Sequence, residues 1–314
     1  GGHNFGIILR TLMNKSDNHS VAIIIINWNG KDVTLDCLES LKKVDYNPFK
    51  VYVVDNASTD DSVKEISEKH PWDTIIQSER NRFFGGGNNF GWQHVKKDNP
   101  EYLLFLNNDT EVAPDFLTHL VDTIQSDSLI GMVGPKIYYY NKPNVIWSAG
   151  GYISFMMGKI AHYGIRQIDH GQCDKIREVG YLTGCAQLIR ADIFKKVSGY
   201  DESYHMYTED VDLCMRVRQL GYKIVCDFRS KIWHKISSSS GEGMTSYKVY
   251  NKIRSNFKFF RQYARFYHWI TIPFFVFFGG IYFFFNSILR LRFKDLLNFV
   301  KGILGFTRKS ETTR

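Results

Sequence analysis

The 314-residue chain predicts an α/β fold with a mostly parallel central sheet flanked by helices. Three observations predict it. Continuous apolar, β-branched runs such as Val21–Trp28 (VAIIIINW) suit strands buried on both faces. These runs alternate with segments of helical periodicity, the order of right-handed βαβ units. Polar residues gather just after three of the runs, where sheets of this kind bind ligands.

The elements follow in order. After Val21–Trp28, the segment Lys31–Val44 puts Val33, Leu35, Leu38 and Leu41 on one helical face. Lys50–Val54 is a second strand ending at Asp55. Asp60–Lys69 reads as a helix that Ser58 or Asp60 can cap. Thr74–Gln77 is a short third strand, and Gly85–Lys97 opens with glycines and continues as a helix. Tyr102–Leu106 is a fourth strand ending at Asn107, and Pro114–Ser126 a further helix. From Gly131 to His234 the pattern loosens. It holds strand-like runs at Val133–Tyr140, Val179–Ile189 and Lys223–Asp227 and a helix over Val211–Leu220, read as the second half of the same domain. A flexible serine-rich stretch from Ser237 and a basic-aromatic helix, Tyr247–Tyr267, come next. The expected division is an N-terminal segment (1–20), a main domain (21–240) and a C-terminal basic and aromatic region (241–314).

The formal net charge is +8. No Arg-rich run or nucleic-acid module accompanies it, so nucleic acid is not an expected partner. Many basic residues lie after Lys248, beside an apolar stretch, which points to membrane lipids. Trp269–Leu289 carries no charged residue, and about 20 apolar residues suffice to span a bilayer. Pro273 and Gly279-Gly280 offer a break into a re-entrant hairpin. Arg290–Phe306 reads as an amphipathic basic helix on the surface. Phe5–Met13 is too short to span and reads as a packed N-terminal helix, with no secretory leader. The five cysteines form no C-x-x-C pair, and their odd number argues for reduced thiols. Together these place the chain at the cytoplasmic face of the cell membrane, peripheral or anchored through its C-terminal region.

Chemistry concentrates at the strand ends. Asn27 and Asn29 follow the first strand. Asp55, after the second, can accept a hydrogen bond from a base N–H, or can simply serve the turn. Gly85-Gly86-Gly87-Asn88-Asn89 opens a helix, where glycines permit close backbone approach and the N-terminus favours phosphate. Asn107-Asn108-Asp109 is a turn whose one carboxylate can hold a divalent cation against a leaving diphosphate. Glu209-Asp210 pairs carboxylates at a helix start, suited to general-base work or to the helix dipole; Asp212 competes with Asp210. His234 ends a strand-like run and can add an imidazole to a metal site.

Taken in order, these segments resemble glycosyltransferase family 2 enzymes of the GT-A fold, particularly the rhamnosyltransferase-like branch. The matching residues are IIIINWNG (23–30), VVDNASTDDS (53–62), NRFFGGGNNFG (81–91), LNNDTEV (106–112), LTGCAQLIRADIF (182–194), GYDESYHMYTEDVDLCMRVRQLGY (199–222), IWHKISSSSG (232–241) and, more loosely, YNKIRSNFKFFR (250–261). The resemblance implies that Asn27 and Asn29 line the nucleotide pocket and Asp55 contacts the base. It puts Asn81, Gly86 and Asn89 near the donor. Asn107 and Asn108 stand where the metal motif often has aspartates. Asp109 and His234 stand at the metal ligands, Asp210 at the catalytic base, and Glu209 at a base- or acceptor-orienting position. Two departures stand out. The metal motif keeps one carboxylate, and Phe83-Phe84 replaces the Gly-Phe common in the branch.

The resulting expectation is an inverting glycosyltransferase. It takes a nucleotide-sugar donor (dTDP-rhamnose or a UDP-sugar), uses Mg²⁺ or Mn²⁺, and acts on a hydroxyl of a lipid-linked or cell-surface glycan acceptor. The alternatives are an inert glycan-binding or scaffold subunit and a nucleotidyltransferase. The latter should show a basic phosphate-binding signature near the first strand, which NWNG does not supply.

Overall fold

In the computed structural model, residues 19–235, 245–289 and 293–304 are described. The expected Phe5–Met13 helix, the serine-rich stretch from Ser237 and both ends of the Arg290–Phe306 helix lie outside them.

Along the chain run β1 (Val21–Asn27), α1 (Lys31–Leu41), β2 (Phe49–Asp55), α2 (Ser62–Lys69), β3 (Thr74–Gln77), α3 (Phe83–Val95), β4 (Tyr102–Asn107), β5 (Thr110–Val112) and α4 (Phe116–Gln125). The second half holds β6 (Ile130–Tyr139), β7 (Lys142–Ser148), β8 (Gly151–Ser154), β9 (Lys159–His162), β10 (Arg177–Glu178), β11 (Ala186–Arg190), α5 (Ala191–Lys196), α6 (Glu209–Gln219) and β12 (Lys223–His234). Three helices close the chain: α7 (Ser246–Tyr263), α8 (His268–Leu289) and α9 (Phe293–Ile303).

Ten strands form one sheet with the order β10-β12-β6-β11-β4-β1-β2-β3, β5 and β7 pairing off that path. The β3-β2-β1-β4 half is parallel. The other half is mixed, because β11 runs antiparallel between β4 and β6. Alternate side chains of β1 enter two cores. Ile24 joins Val54 and Phe105 on the face covered by α3, α5, α6 and α7; Ile23 and Ile25 join Val53 and Leu104 on the face covered by α1 and α4. Each fully buried isoleucine contributes about 2 kcal/mol.

The second half differs most from expectation. The run Val179–Ile189 is not one strand: after an isolated bridge at Tyr181 it turns at Gly184–Cys185, and only then does β11 begin, with β10 lying just before the run. The predicted Lys223–Asp227 strand continues to His234, with a bulge between Asp227 and Lys231. The β8-β9 hairpin and the short β5 and β7 went unread, since their half-exposed residues show no clean alternation.

The glycines of α3 serve packing. A Cβ on Gly91 would sit 2.9 Å from Ile24 and Val54, and one on Gly87 3.1 Å from Ile26. Gly87 and Gly91 let the helix lie close on β1 and β2, while Gly85 and Gly86 face Tyr200 and Glu202.

At the C-terminal end, α7 shares the main core through Phe259 and Phe260. Helix α8 is a single 22-residue helix containing Pro273, so the re-entrant break is not observed. It is long and apolar enough to cross a membrane, and only 11 % of its apolar window is buried.

Candidate functional site

The carboxyl ends of β1, β2 and β4 are joined by a buried relay of side chains. Asn27 is fully buried; its Nδ2 donates to Asp55 Oδ1 at 2.9 Å and to Ser58 Oγ at 3.1 Å. The Thr34 hydroxyl donates to Asn27 Oδ1 at 2.8 Å and accepts from Asn108 Nδ2 at 2.8 Å. The other Asp55 oxygen, Oδ2, accepts the Ser58 N–H at 3.0 Å. Asn27 and Asn108 therefore stand behind the surface as supports, where the resemblance had Asn27 lining the nucleotide pocket and Asn108 at the metal motif. Thr34 was missed; a threonine on a predicted helix face carries no sequence signal of this role.

Asn29 takes a left-handed φ of 50° and its Oδ1 accepts the Thr59 N–H at 2.7 Å, fastening the loop after β1 to the loop after β2. Asn81 Oδ1 accepts from Asn56 Nδ2 and from the Phe83 N–H. Phe83 has φ 58°. It holds, at a cost of about 1–2 kcal/mol, the left-handed conformation that glycine adopts freely. The Phe83-Phe84 departure is thus absorbed without losing the turn. Gly86 and Asn89 face elsewhere. Asn89 clamps the Tyr200 backbone and Glu202, and a Cβ on Gly86 would meet Glu202 at 3.3 Å. Both lie along a groove shared with Trp92, Lys96 and Arg190, not on the cluster around Asp109.

That cluster comes from the β4–β5 turn and the end of β12. Asp109 Oδ1 lies 3.0 Å from His234 Nε2, and both side chains are under 10 % exposed. Antiparallel pairing of β5 with β12, with Thr110 opposite His234, sets the approach. Burial opposes charge on His234, but the Cys185 sulfur and the Asp109 carboxylate favour it, raising its pKa to about 10. Asn107 sits at the end of β4, where its N–H donates to the Cys185 carbonyl at 2.9 Å.

Gly184, the neighbour of Cys185, donates its N–H to Asp210 Oδ2 at 2.8 Å, and Val211 N–H donates to Oδ1 at 2.8 Å. The Gly184–Cys185 turn thus joins the Asp109–His234 pair to Asp210. Burial pushes the Asp210 carboxyl up; the backbone N–H groups of Gly184 and Val211 oppose this. Burial and then the Asp210 charge raise Glu209 to about 8. The two adjacent carboxyls titrate together as a pair, each pushed up by burial, with the backbone N–H donors easing the charge on Asp210. Glu209 Oε2 is buried without a hydrogen-bond partner among the described residues. Asp212, the rival base, is consumed structurally: Arg216 Nε and the Tyr263 hydroxyl donate to its two oxygens at 2.8 and 2.7 Å.

An arc of rings missing from the sequence reading completes the site. Trp147 packs edge-on to His234 at 4.7 Å between ring centroids and lies 5.1 Å from His162, which lies 5.6 Å from Tyr181. Trp147 and His162 come from the irregular β7–β9 region, where periodicity gives no guide, and Tyr181 from the stretch between β10 and β11.

The glycosyl transferase family 2 profile matches residues 22–198. The chain belongs to that family. Its relatives include proteins named as rhamnosyltransferases, although it spans only 17 % and 26 % of the length of two of the relatives it matches. The chain is 26 % identical over 227 residues to the O-antigen biosynthesis protein RfbC of Myxococcus xanthus, covering 70 % of this chain and 17 % of that protein. It is 24 % identical over 231 residues to the N-acetylglucosaminyl-diphospho-decaprenol L-rhamnosyltransferase of Mycobacterium tuberculosis, covering 67 % and 74 %. A crystal structure of GalNAc-T7 with UDP, GalNAc and Mn²⁺ superimposes with a TM-score of 0.60 at 17 % identity, over 77 % of this chain and 48 % of that one. This last likeness concerns the GT-A fold, which the chain shares.

Proposed function

We propose that this chain is an inverting, metal-assisted glycosyltransferase that moves a sugar from a nucleoside-diphosphate donor to a hydroxyl of a lipid-linked or cell-surface glycan. The observation that carries the reading is the Gly184–Cys185 turn. It sets a partly protected aspartate, Asp210, beside the Asp109–His234 pair at the ligand-binding edge of the sheet.

The donor set suits a divalent cation. One carboxylate oxygen and one imidazole nitrogen lie 3.0 Å apart and buried, a mixed set that would favour Mn²⁺ over Mg²⁺ once the cation displaces the proton that His234 otherwise shares with Asp109. No group of three His, Cys, Asp or Glu able to hold a metal occurs among the described residues, so donor phosphates would complete the shell. When bound, the cation would neutralise charge developing on the leaving diphosphate. Asp55, braced by Asn27, would receive the base. Asp210 takes the proton from the acceptor hydroxyl. The oxygen then attacks the anomeric carbon from the face opposite the diphosphate, whose C–O bond breaks with its electron pair. The unpartnered Oε2 of Glu209 is placed to orient the acceptor, and the Trp147 ring to pack on an acceptor sugar.

The relative named for a decaprenol-linked substrate favours a lipid-linked acceptor and an L-rhamnosyl donor. The exposed aromatic helix α8 agrees with it, and would hold the chain at the cytoplasmic membrane surface. The test is nucleoside-diphosphate release from a panel of dTDP-rhamnose, UDP-sugars and GDP-mannose with Mn²⁺ and a membrane lipid extract. Release with one donor is expected; folded protein releasing none would overturn the reading.

A further inference from the structure

Two residues immediately before the Glu209–Asp210 pair, Tyr207 and Thr208, both take left-handed backbone conformations, with φ 69° and 70°. For an aromatic and a β-branched side chain this is a strained pairing, held only where the surroundings over-determine it. The surroundings are α7. Ser255 Oγ donates to the Met206 carbonyl at 2.8 Å, and the Thr208 hydroxyl donates to Asn256 Oδ1 at 2.9 Å. On the same helix, Lys258 Nζ donates to Asp201 Oδ2 at 2.9 Å and stacks over the Tyr204 ring, and the Tyr263 hydroxyl binds Asp212. One face of α7 therefore grips the segment from Asp201 to Asp212 at successive points on both sides of the carboxylate pair. Ser255 is buried and Phe259 and Phe260 anchor the helix in the main core, so the grip has a rigid base.

We propose that Ser255 and Asn256 are positioning residues that hold the Met206–Thr208 turn in its left-handed form and so aim Asp210. The inference rests on the reading of Asp210 as the base. Without the two bonds the turn relaxes to ordinary backbone angles and the start of α6 shifts. A shift of about 1 Å in a catalytic group can cost 100-fold in turnover without touching donor contacts.

The first test needs no substrate. Amide hydrogen exchange of the full chain is followed by mass spectrometry in Asn256→Leu, Thr208→Val and Thr208→Ser. Exchange across residues 205–212 is expected to rise about tenfold in the first two, with β1 and β4 peptides unchanged and Thr208→Ser at the wild-type rate. Wild-type exchange across 205–212 in both, or a rise spread evenly over the sheet, would overturn the proposal. The second test uses the panel donor with highest turnover. Here kcat should fall at least tenfold with donor KM within twofold; kcat within twofold of wild type, or kcat and KM changing together, defeats the positioning role. Asp210→Asn run in parallel separates the two ideas. If it keeps turnover, the base assignment falls; if it loses turnover while the α7 variants keep theirs, only the brace falls.

Discussion

The Thr34 hydroxyl donates to Asn27 Oδ1 across 2.8 Å inside the protein, and through it α1 supports the ends of β1, β2 and β4 together. Thr34→Val keeps the shape and removes the hydroxyl. Asn27 Oδ1 and Asn108 Nδ2 then lose their partner in a dry site, a loss of about 1–3 kcal/mol. A lower Tm and weaker donor binding are expected, with Thr34→Ser close to wild type. Calorimetric unfolding and donor titration check both; an unchanged Tm would show that water replaces the hydroxyl.

Asp210→Asn keeps the size of the side chain and removes the proton acceptor. Turnover should fall about 10²–10⁴-fold, the usual worth of a positioned base. Donor affinity should stay within threefold, because the proposed base acts on the acceptor hydroxyl and not on the donor. Stopped-time product assays with equilibrium donor binding decide it, and near-full turnover would move the base elsewhere.

The sequence carried the parallel half of the fold because its strands are buried on both faces, so apolar runs such as Ile23–Ile26 stand out. Its ordered motifs singled out Asp109, His234, Asp55 and Asp210, and the fold brings Asp109 within 3.0 Å of His234. It could not show that Asn27 and Asn108 turn inward, because an inward amide and an outward one have the same letters. Nor could it show Trp147 beside His234, since the contact joins β7 to β12 through a sheet register that no local pattern encodes. The resemblance put Asn89 and Gly86 near the donor, while the packing of α3 turns Asn89 toward Tyr200 and both toward Glu202.

Asp109→Ala removes the carboxylate of the proposed cation pair. Donor affinity measured by calorimetry in Mn²⁺ should weaken at least tenfold. Chelation should bring the wild-type protein to the level of the variant and leave the variant unchanged. Equal sensitivity of both proteins to chelation would show the cation held elsewhere.

Helix α8 exposes Phe274, Phe277, Phe278 and Phe285 with few protein neighbours. Burying such side chains in lipid yields roughly 1.5–3 kcal/mol each. Replacing Phe274, Phe277 and Phe278 by serine should release the protein from anionic liposomes in flotation assays. Donor binding in detergent should be retained, as the three lie outside the site. Undiminished flotation would assign the attachment to another surface.

Glu209 supplies a pH test with a fixed sign. Burial and the neighbouring Asp210 raise its pKa from 4.5 to about 8 in the folded chain. The folded state therefore binds more protons than the unfolded one across that interval, and stability present below pH 4.5 is lost as pH rises through 8. Glu209→Gln removes this loss, since an amide holds its form throughout. The difference in Tm, variant minus wild type, should grow from pH 5 to about pH 8 and level off above it. Asp210→Asn should flatten the wild-type dependence partly, because it removes the repulsion and leaves the burial. A Tm difference that is constant with pH would mean that Glu209 ionises freely in the folded protein.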